Sequence, residues 1–149
     1  IMKKTVLYFA ALICMMMQTV PTFASDRVIP VNQLPAAAKT FVQKTFPNLT
    51  ISSAEIDLDD FGKKSYEVRL NNGFKVEFDA NGTWDQVDCY YKPVPAELVP
   101  TAITNYVKTH YAGLQIVKID KEPYGFEVEL SNDLDLKFNN QGILIDIDD

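Results

Sequence analysis

Apolar residues recur at helical spacing in two blocks of the sequence. In the first block this spacing predicts an amphipathic helix over residues 35–45. Pro35 stands in the first turn, where a proline is tolerated, and Pro47 ends the helix because its ring cannot continue the hydrogen-bonding pattern. The same pattern returns between Val99 and Tyr111, about 65 residues later. Two helices of similar length are therefore predicted.

Each predicted helix is followed by four runs in which apolar and polar residues alternate, the pattern of half-buried strands. Asn72-Gly73 and Asn81-Gly82 separate successive runs in the first block, and such pairs favour tight turns. The first run of each block changes phase midway, which indicates a β-bulge. We predict strands over residues 49–58, 66–70, 74–79 and 83–91, and over equivalent residues of the second block between 114 and 148.

The strand segments of the two blocks are also similar in sequence. Residues 66–88 and 126–148 align without a gap, and seven of the 23 aligned positions are identical. An internal repeat of this kind indicates repeated structural units. A unit of about 60 residues is marginally stable alone, so we expect the two units to dock as one domain. The sequence therefore predicts an α+β protein of two tandem α-β4 repeats, residues 34–91 and 96–149, joined by the linker 92–95. Each repeat is predicted to be an antiparallel four-stranded sheet with one helix packed on one face.

The N-terminal residues have the pattern of a secretory signal peptide. A lysine pair precedes an apolar run over residues 6–17, and small residues mark a cleavage position after Ala24. The run is shorter than the roughly 20 residues of a membrane-spanning helix, although a permanent N-terminal anchor is the alternative. We therefore predict a cleaved signal peptide over residues 1–24, a short polar lead-in over 25–33, and a periplasmic or secreted protein.

The net charge limits the kinds of partner that the protein can bind, and the cysteine content limits the disulfides that it can form. Cleavage after Ala24 would leave 12 of the 14 basic residues and all 20 acidic ones, a net charge near −8. This charge argues against binding to nucleic acid, and against binding to an anionic membrane after signal cleavage. Cleavage would also leave Cys89 as one cysteine, so we expect no intramolecular disulfide. Cys89 is interpreted as a small buried hydrophobic residue, with a reactive or intermolecular cysteine as the alternative.

Several short motifs resemble the PepSY-like family of exported bacterial proteins. They are the helix motif Leu34-Pro35 with Phe41 and Phe46-Pro47, the strand motif Tyr66-x-Val68-x-Leu70, and the turn motif Asp79-x-Asn81-Gly82-x-Trp84. The resemblance covers nearly all of the mature chain. It implies a fold comparable with that of the β-lactamase inhibitor protein and a role in binding or inhibiting an envelope enzyme, without bringing catalytic or binding residues. That inhibitor is braced by disulfides, whereas the mature chain here has one cysteine.

Candidate catalytic and metal-binding residues are few. His110 is the only histidine, and no Gly-x-Ser-x-Gly motif accompanies it, so we predict no enzyme, no catalytic residue and no cofactor. Acidic residues cluster within 57–60 and 146–149, and Asp79-x-Asn81-Gly82 resembles a calcium loop. Tyr90 stands where such a loop has its bidentate glutamate, and turn chemistry accounts for Asp79. We predict no metal ligand, and calcium or small-ligand binding through the acidic loops stays an alternative function.

The polar face of the predicted sheet holds the candidate binding residues. Outward positions change the sign of their charge between the repeats, as at Arg69 and Glu129, which fits a solvated surface or a face with asymmetric specificity. Trp84 is predicted to point outward together with Tyr90, because strict alternation puts both on this face. Exposed aromatic residues anchor interfaces. The alternative places Trp84 in the peripheral core.

These observations predict a non-enzymatic, exported binding module. Its open sheet face is predicted to recognise a protein or peptide partner of the cell envelope through Trp84, Tyr90, Arg69, Lys75 and Gln86. The alternative is an inhibitor or regulator of a periplasmic peptidase or β-lactamase.

Overall fold

Each helix begins directly after a proline, as the sequence predicts. The structure, a computed structural model, describes residues 26–149, and the predicted signal peptide lies outside this range. Helix α1 (Ala36–Thr45) follows Pro35, and helix α2 (Thr101–His110) follows Pro100. Proline suits this position because an N–H in the first helical turn would have no partner within the helix. The predicted positions of both helices are confirmed.

The described strands form one antiparallel sheet of nine strands, paired in the order in which they occur in the chain. Short 3-10 helices at Val31–Gln33 and Ala96–Leu98 lead into α1 and α2. The α+β fold class is therefore confirmed. The strands are β1 (Arg27–Ile29), β2 (Ile51–Leu58), β3 (Lys64–Leu70), β4 (Lys75–Asp79), β5 (Trp84–Asp88), β6 (Ile116–Glu122), β7 (Gly125–Leu130), β8 (Asp135–Asn139) and β9 (Leu144–Asp148).

The sheet is continuous across the middle of the chain, where the sequence predicts two separate four-stranded sheets. Strand β5 pairs antiparallel with β6, and Val87 lies opposite Ile119. Both side chains are completely buried. Pairing covers the outer edges and the apolar residues of β5 and β6. In two separate sheets both edges would be exposed. The expected separation into two sheets is therefore replaced by one open sheet.

Strand β1 lies within the segment that the sequence analysis treats as a polar lead-in. It pairs with β2, and Ile29 lies opposite Ala54. Ala54 and Ile119 occupy equivalent positions, because they pair with Val68 and Val128, which align in the repeat. Strand β1 therefore covers β2 in the same way that β5 covers β6. A strand of three residues is too short to show a hydrophobic period in the sequence.

Both helices pack on the same face of the sheet and share one hydrophobic core. Val42 of α1 and Val107 of α2 belong to a single cluster with the inward residues of the strands. In β3 and β4 the buried side chains fall at alternate positions, as the sequence predicts. The largest completely buried side chains are Phe78, Phe138, Leu70, Ile103, Ile119, Leu130, Leu136, Val68, Val76, Val87, Val128 and Cys89.

Bulges interrupt the strands at four places, of which the sequence predicts two. The register shifts within β2 and β6, as the phase changes in the sequence indicate. It also shifts where β4 pairs with β5 and where β8 pairs with β9. In β5, Trp84 lies opposite Phe78 and Gln86 lies opposite Glu77, so Asp85 is an extra residue. The bulge reverses the phase of the strand and turns Trp84 toward the helices.

The expectation that Trp84 points outward is therefore wrong. Its indole stacks on Phe41 of α1, with ring centroids 6.1 Å apart. The ammonium nitrogen of Lys121 lies 3.8 Å from the centre of the indole, which is a cation–π arrangement. Trp84 is half-buried and packs against the hydrophobic core. Its role is to join α1 to the sheet.

Two aligned glycines allow turns of the sheet to approach the helices closely. A Cβ atom on Gly82 would lie 2.8 Å from Cβ of Pro35 and 3.0 Å from the backbone nitrogen of Ala38. A Cβ atom on Gly142 would lie 2.5 Å from Cβ of Ala102. Both glycines also have positive φ, which other residues rarely adopt. Close packing against the helices therefore explains why both repeats have a glycine at this aligned position.

Replacement of Gly82 tests this close approach. Gly73 also has positive φ, but a Cβ atom there would meet nothing within 4 Å. We expect Gly73→Ala to lower the free energy of unfolding by about 1–2 kcal/mol through backbone strain alone. Gly82→Ala should lower the free energy of unfolding by roughly 1–3 kcal/mol more than Gly73→Ala does, because the added methyl group overpacks the contact with α1. Urea denaturation measures both values, and equal losses would contradict the packing argument.

Trp84→Ala tests the reassigned role of this side chain. We expect the free energy of unfolding to fall by about 2 kcal/mol or more, because the contacts with Phe41 and the core are lost. Phe61→Ala is the control, since Phe61 is 97% exposed and should contribute little to stability. Thermal and urea denaturation of both variants give the comparison. An unchanged stability of Trp84→Ala would show that the indole does not hold α1.

Candidate functional site

The face of the sheet opposite the helices carries polar and charged side chains in two rows that cross the strands. Residues directly opposite each other in antiparallel strands point to the same side, so the strand registers define both rows. The first row is Glu55, Glu67, Glu77, Gln86, Asp120, Glu127, Lys137 and Asp146. The second row is Ser53, Arg69, Lys75, Asp88, Lys118, Glu129, Asp135 and Asp148. Together they form the open face.

Four of the five predicted binding residues belong to the open face or border it. Arg69, Lys75 and Gln86 occupy its rows on β3, β4 and β5. Tyr90 follows β5, and its hydroxyl oxygen accepts a hydrogen bond from Nη1 of Arg69 at 3.1 Å. Trp84 is absent from this group because the β5 bulge turns it to the helix side. The structure therefore brings together the polar residues of the predicted site and removes its tryptophan.

Tyr90 is held beside Arg69 by an unusual backbone conformation. Its φ is 57°, in the left-handed region that aromatic residues seldom adopt. The backbone N–H of Tyr90 donates to Oδ1 of Asp88 at 2.8 Å, which stabilises this turn. The preceding residue, Cys89, is buried and anchors the chain in the core. Tyr90 remains 42% exposed, so its ring is presented to solvent next to a guanidinium group.

Ion pairs hold the basic side chains of this region along the sheet surface. Nη2 of Arg69 lies 2.8 Å from a carboxylate oxygen of Glu67, and Nζ of Lys75 lies 3.1 Å from Glu77. Exposed ion pairs of this kind contribute little to stability because water and salt screen them. Their effect here is positional, since they keep the cationic groups over the first half of the open face.

A partly buried polar cluster lies where the two halves of the sheet meet. Nε2 of Gln86 donates to a carboxylate oxygen of Asp120, and Nζ of Lys118 lies 3.3 Å from the other carboxylate oxygen. Burial raises the pKa of Asp120, and the contacts with Gln86 and Lys118 lower it only in part. Oε1 of Gln86 is buried without a hydrogen-bond partner among the described residues. Gln86 therefore acts mainly as a link between β5 and β6.

The second half of the open face has an excess of carboxylates. Burial and then the neighbouring Asp135 raise the pKa of Glu129. Burial and then Glu127 raise the pKa of Asp135. Burial is the larger cause for both pKa values, and repulsion between neighbouring carboxylates adds to it, which Lys118 offsets only in part. The second row therefore changes charge between the halves, with Arg69 and Lys75 in the first half and Glu129, Asp135 and Asp148 beside Lys118 in the second.

The remaining candidates from the sequence have structural roles. Oδ1 of Asp79 accepts hydrogen bonds from the backbone N–H groups of Asn81 and Thr83, both at 2.9 Å, so Asp79 shapes a turn. His110 is exposed at the end of α2 and lies against the ring of Tyr106. Burial raises the pKa of the Cys89 thiol to about 12, so this group is neutral at neutral pH. Its interpretation as a buried residue is confirmed.

A small acidic pocket at the β2–β3 end of the open face brings Asp57, from the acidic cluster at 57–60, together with acidic residues of other elements. It has a volume of about 90 Å³, and its wall includes Asp26, Glu55, Asp57, Glu67 and Glu77. Burial and then Asp26 raise the pKa of Asp57. Within residues 26–149, no group of three or more His, Cys, Asp or Glu side chains has an arrangement suited to a metal ion. The residues of the pocket are distant in sequence, and only the strand registers bring them together.

Comparison with protein families and solved structures gives the relationship of this chain to known proteins. The sequence model of a family described as "Putative beta-lactamase-inhibitor-like, PepSY-like" matches residues 64–146. Among curated proteins, none matches this chain.

Three solved structures are similar to this fold over nearly their whole length. A "putative periplasmic protein of unknown function" from Bacteroides vulgatus is 36% identical, with a TM-score of 0.81, and the match covers 84% of this chain and 100% of that one. A "putative periplasmic protein from DUF2874 family", also from Bacteroides vulgatus, is 42% identical, with a TM-score of 0.77 and coverage of 84% and 98%. A "putative calcium-regulated periplasmic protein" from Bacteroides thetaiotaomicron is 42% identical, with a TM-score of 0.77 and coverage of 83% and 97%.

The three similar structures bear on where the protein is found and on its family. All three are described as periplasmic, which confirms the predicted periplasmic or secreted location. Neither helix in the described part of the chain is long and apolar enough to cross a membrane. The family match covers more than half of the sequence and includes the strand and turn motifs on which the resemblance partly rests. The chain belongs to the PepSY-like family.

Proposed function

We propose that this protein is a non-enzymatic binding module of the cell envelope. Its open face recognises a protein or peptide partner around Arg69, Lys75 and Tyr90. The observation that carries this proposal is the conformation of Tyr90, an exposed aromatic residue held at positive φ beside an arginine. Backbone strain of this kind costs about 1–3 kcal/mol and is concentrated at functional positions. Tyrosine and arginine are also enriched among the residues that dominate binding energy in interfaces.

The two halves of the face give the module an asymmetric specificity. We interpret the chain as two tandem α-β4 repeats, with α1 and β2–β5 in the first and α2 and β6–β9 in the second. Equivalent positions carry Arg69 in one repeat and Glu129 in the other. A partner with a matching distribution of charge would bind in one orientation, since like charges placed against each other disfavour the reverse one.

Several features support a role without catalysis and a partner that is neither nucleic acid nor membrane. His110 lies at the end of α2, on the helix side of the sheet and away from the open face. All four basic groups in the two rows of the face are paired with carboxylates. The whole chain has a net charge of −6, which repels polyanions and anionic lipids.

The double variant R69E/K75E tests the open face. Immobilised protein is used to isolate partners from an envelope extract, and the affinity of each purified partner is then measured by calorimetry. We expect R69E/K75E to weaken binding at least about tenfold, because it reverses both cationic groups of the site. Tyr90→Ala should weaken binding without changing the net charge.

The matched control is K44E/K108E, which makes the same change in net charge on exposed positions of the two helices. This control should bind as the unmodified protein does. A partner that binds both double variants equally well would exclude the open face as the binding surface.

Enzyme inhibition is the alternative that the family description supports. The partner would then be a periplasmic peptidase or a β-lactamase, and the open face would cover its active site. The unmodified protein, K44E/K108E and R69E/K75E are added to a panel of such enzymes. Inhibition by the first two proteins and not by R69E/K75E is the expected result. Absence of inhibition across the panel would reject this alternative and leave the binding role to be judged by the affinity measurements.

Calcium binding is a second candidate, favoured by two observations. A structure 42% identical to this chain is described as calcium-regulated, and oxygen-rich carboxylate groups line the acidic pocket. A bound cation would relieve the repulsion around Asp57, so calcium should raise the melting temperature. Asp57→Asn with Glu67→Gln should abolish this rise, whereas Asp146→Asn with Asp148→Asn should not. Calorimetry that detects no heat with calcium would remove this candidate.

A further inference from the structure

The outer edge of β9 is a second exposed surface with a defined chemistry. No described residue pairs with this edge, because β9 is the last strand of the sheet. Ile143, Ile145 and Ile147 are 62%, 55% and 44% exposed, respectively. Ile145 and Ile147 lie on the unpaired edge strand, and Ile143 lies in the turn before it, where its backbone is hydrogen-bonded to Asn139. An exposed edge with apolar side chains is a template for another strand. This surface is separate from Arg69 and Tyr90 of the open face, which lie on the first half of the sheet.

The chain itself shows which kind of strand fits such an edge. Val87 of β5 aligns with Ile147 of β9, and β6 covers β5 so that Val87 is completely buried. In that pairing Ile119 lies opposite Val87 and Lys118 lies opposite Asp88. The equivalent residues of β9 are Ile147 and Asp148. A strand that fits β9 in the same way therefore has an aliphatic residue opposite Ile147 and a basic residue opposite Asp148.

Charge also favours a basic partner strand. Asp146, Asp148 and Asp149 lie at this edge, and Lys137 contacts the first two of them. Strand β9 has the bulge at Ile145, so its regular part is Asp146–Asp148. A symmetric pairing of this part with a second copy would be centred on Ile147 and would place Asp146 opposite Asp148. Like charges directly opposite each other are destabilising, so this edge resists self-pairing.

We propose that the outer edge of β9 binds an extended segment of another protein by antiparallel strand addition. The bound segment has alternating aliphatic and basic residues, with the aliphatic side chain covering Ile147 and a lysine or arginine opposite Asp148. Backbone hydrogen bonds supply much of the affinity in this mode of recognition, and the alternate side chains supply the specificity.

Strand β6 supplies the probe for a direct test. A fluorescent peptide with the sequence of residues 114–122 places Lys118 opposite Asp148 and Asp120 opposite Asp146. We expect this peptide to bind the protein, and the D120K peptide to bind about tenfold more tightly because it removes a repulsion. The K118E peptide should bind at least about tenfold more weakly than the unmodified one. Fluorescence anisotropy measures the three affinities.

Variants of the protein locate the bound peptide. Ile147→Lys and Asp148→Lys alter exposed side chains, and each should weaken binding of the D120K peptide at least about tenfold. The control is Val28→Lys on β1, the opposite edge of the sheet, where Val28 is 71% exposed. This control should bind normally. NMR spectra of the folded protein should show peptide-induced shifts concentrated at the amides of residues 144–148.

Three results would overturn the proposal. In the first, neither the unmodified peptide nor the D120K peptide binds. In the second, binding is unchanged in both β9 variants, or is lost equally in Val28→Lys. In the third, sedimentation shows a dimer that Ile147→Lys dissociates, so that a second copy occupies the edge. None of these results depends on the R69E/K75E measurements, which concern the open face.

Discussion

The pairing of β5 with β6 is the contact on which the rest of the structure depends. Three residue pairs join the two halves of the chain, from Gln86 opposite Asp120 to Asp88 opposite Lys118. The contact gives both helices one continuous sheet to pack against and merges their apolar residues into one core. Its effect is visible by comparison, because Val87 is completely buried while the aligned Ile147, which has no such partner strand, is 44% exposed. Each half alone would be too small to bury its core well.

Close contacts between turns and helices then set the position of each helix over the sheet. Gly82 lies under the start of α1, and Gly142 lies under the start of α2. A proline precedes each helix, and Pro35 itself lies against Gly82. Trp84 adds a third contact, in which the indole lies between Phe41 and Lys121. These contacts pack the helices closely on the sheet, and the open face and the edge of β9 lie away from them.

One continuous sheet also determines the electrostatics of the open face. Because β5 and β6 are in register, equivalent positions of the two halves fall in common rows. Arg69 and Glu129 therefore belong to the same row, although 60 residues separate them. Burial, and then the neighbouring carboxylates of the second half, raise the pKa of Glu129 and Asp135. The changes of sign seen in the aligned sequences thus become a difference in charge along the second row, while Glu77 and Lys137 differ in the opposite direction along the first row.

The sequence by itself determined the features that depend on neighbouring residues. Helix spacing, strand alternation and the prolines placed both helices and the strands that follow them, since each signal lies within about ten residues. It also placed Arg69, Lys75 and Gln86 on the open face, because alternation within a strand sets which face a residue occupies.

Only the tertiary structure decided which edges meet. Strand β1 is too short to have a period, and the pairing of Gln86 with Asp120 joins residues 34 positions apart. The β5 bulge reversed the predicted direction of Trp84. Asp85 is an extra residue in the pairing with β4, so Trp84 lies opposite the inward residue Phe78. These outcomes depend on contacts between distant residues, and a local pattern of apolar and polar positions carries no information about them.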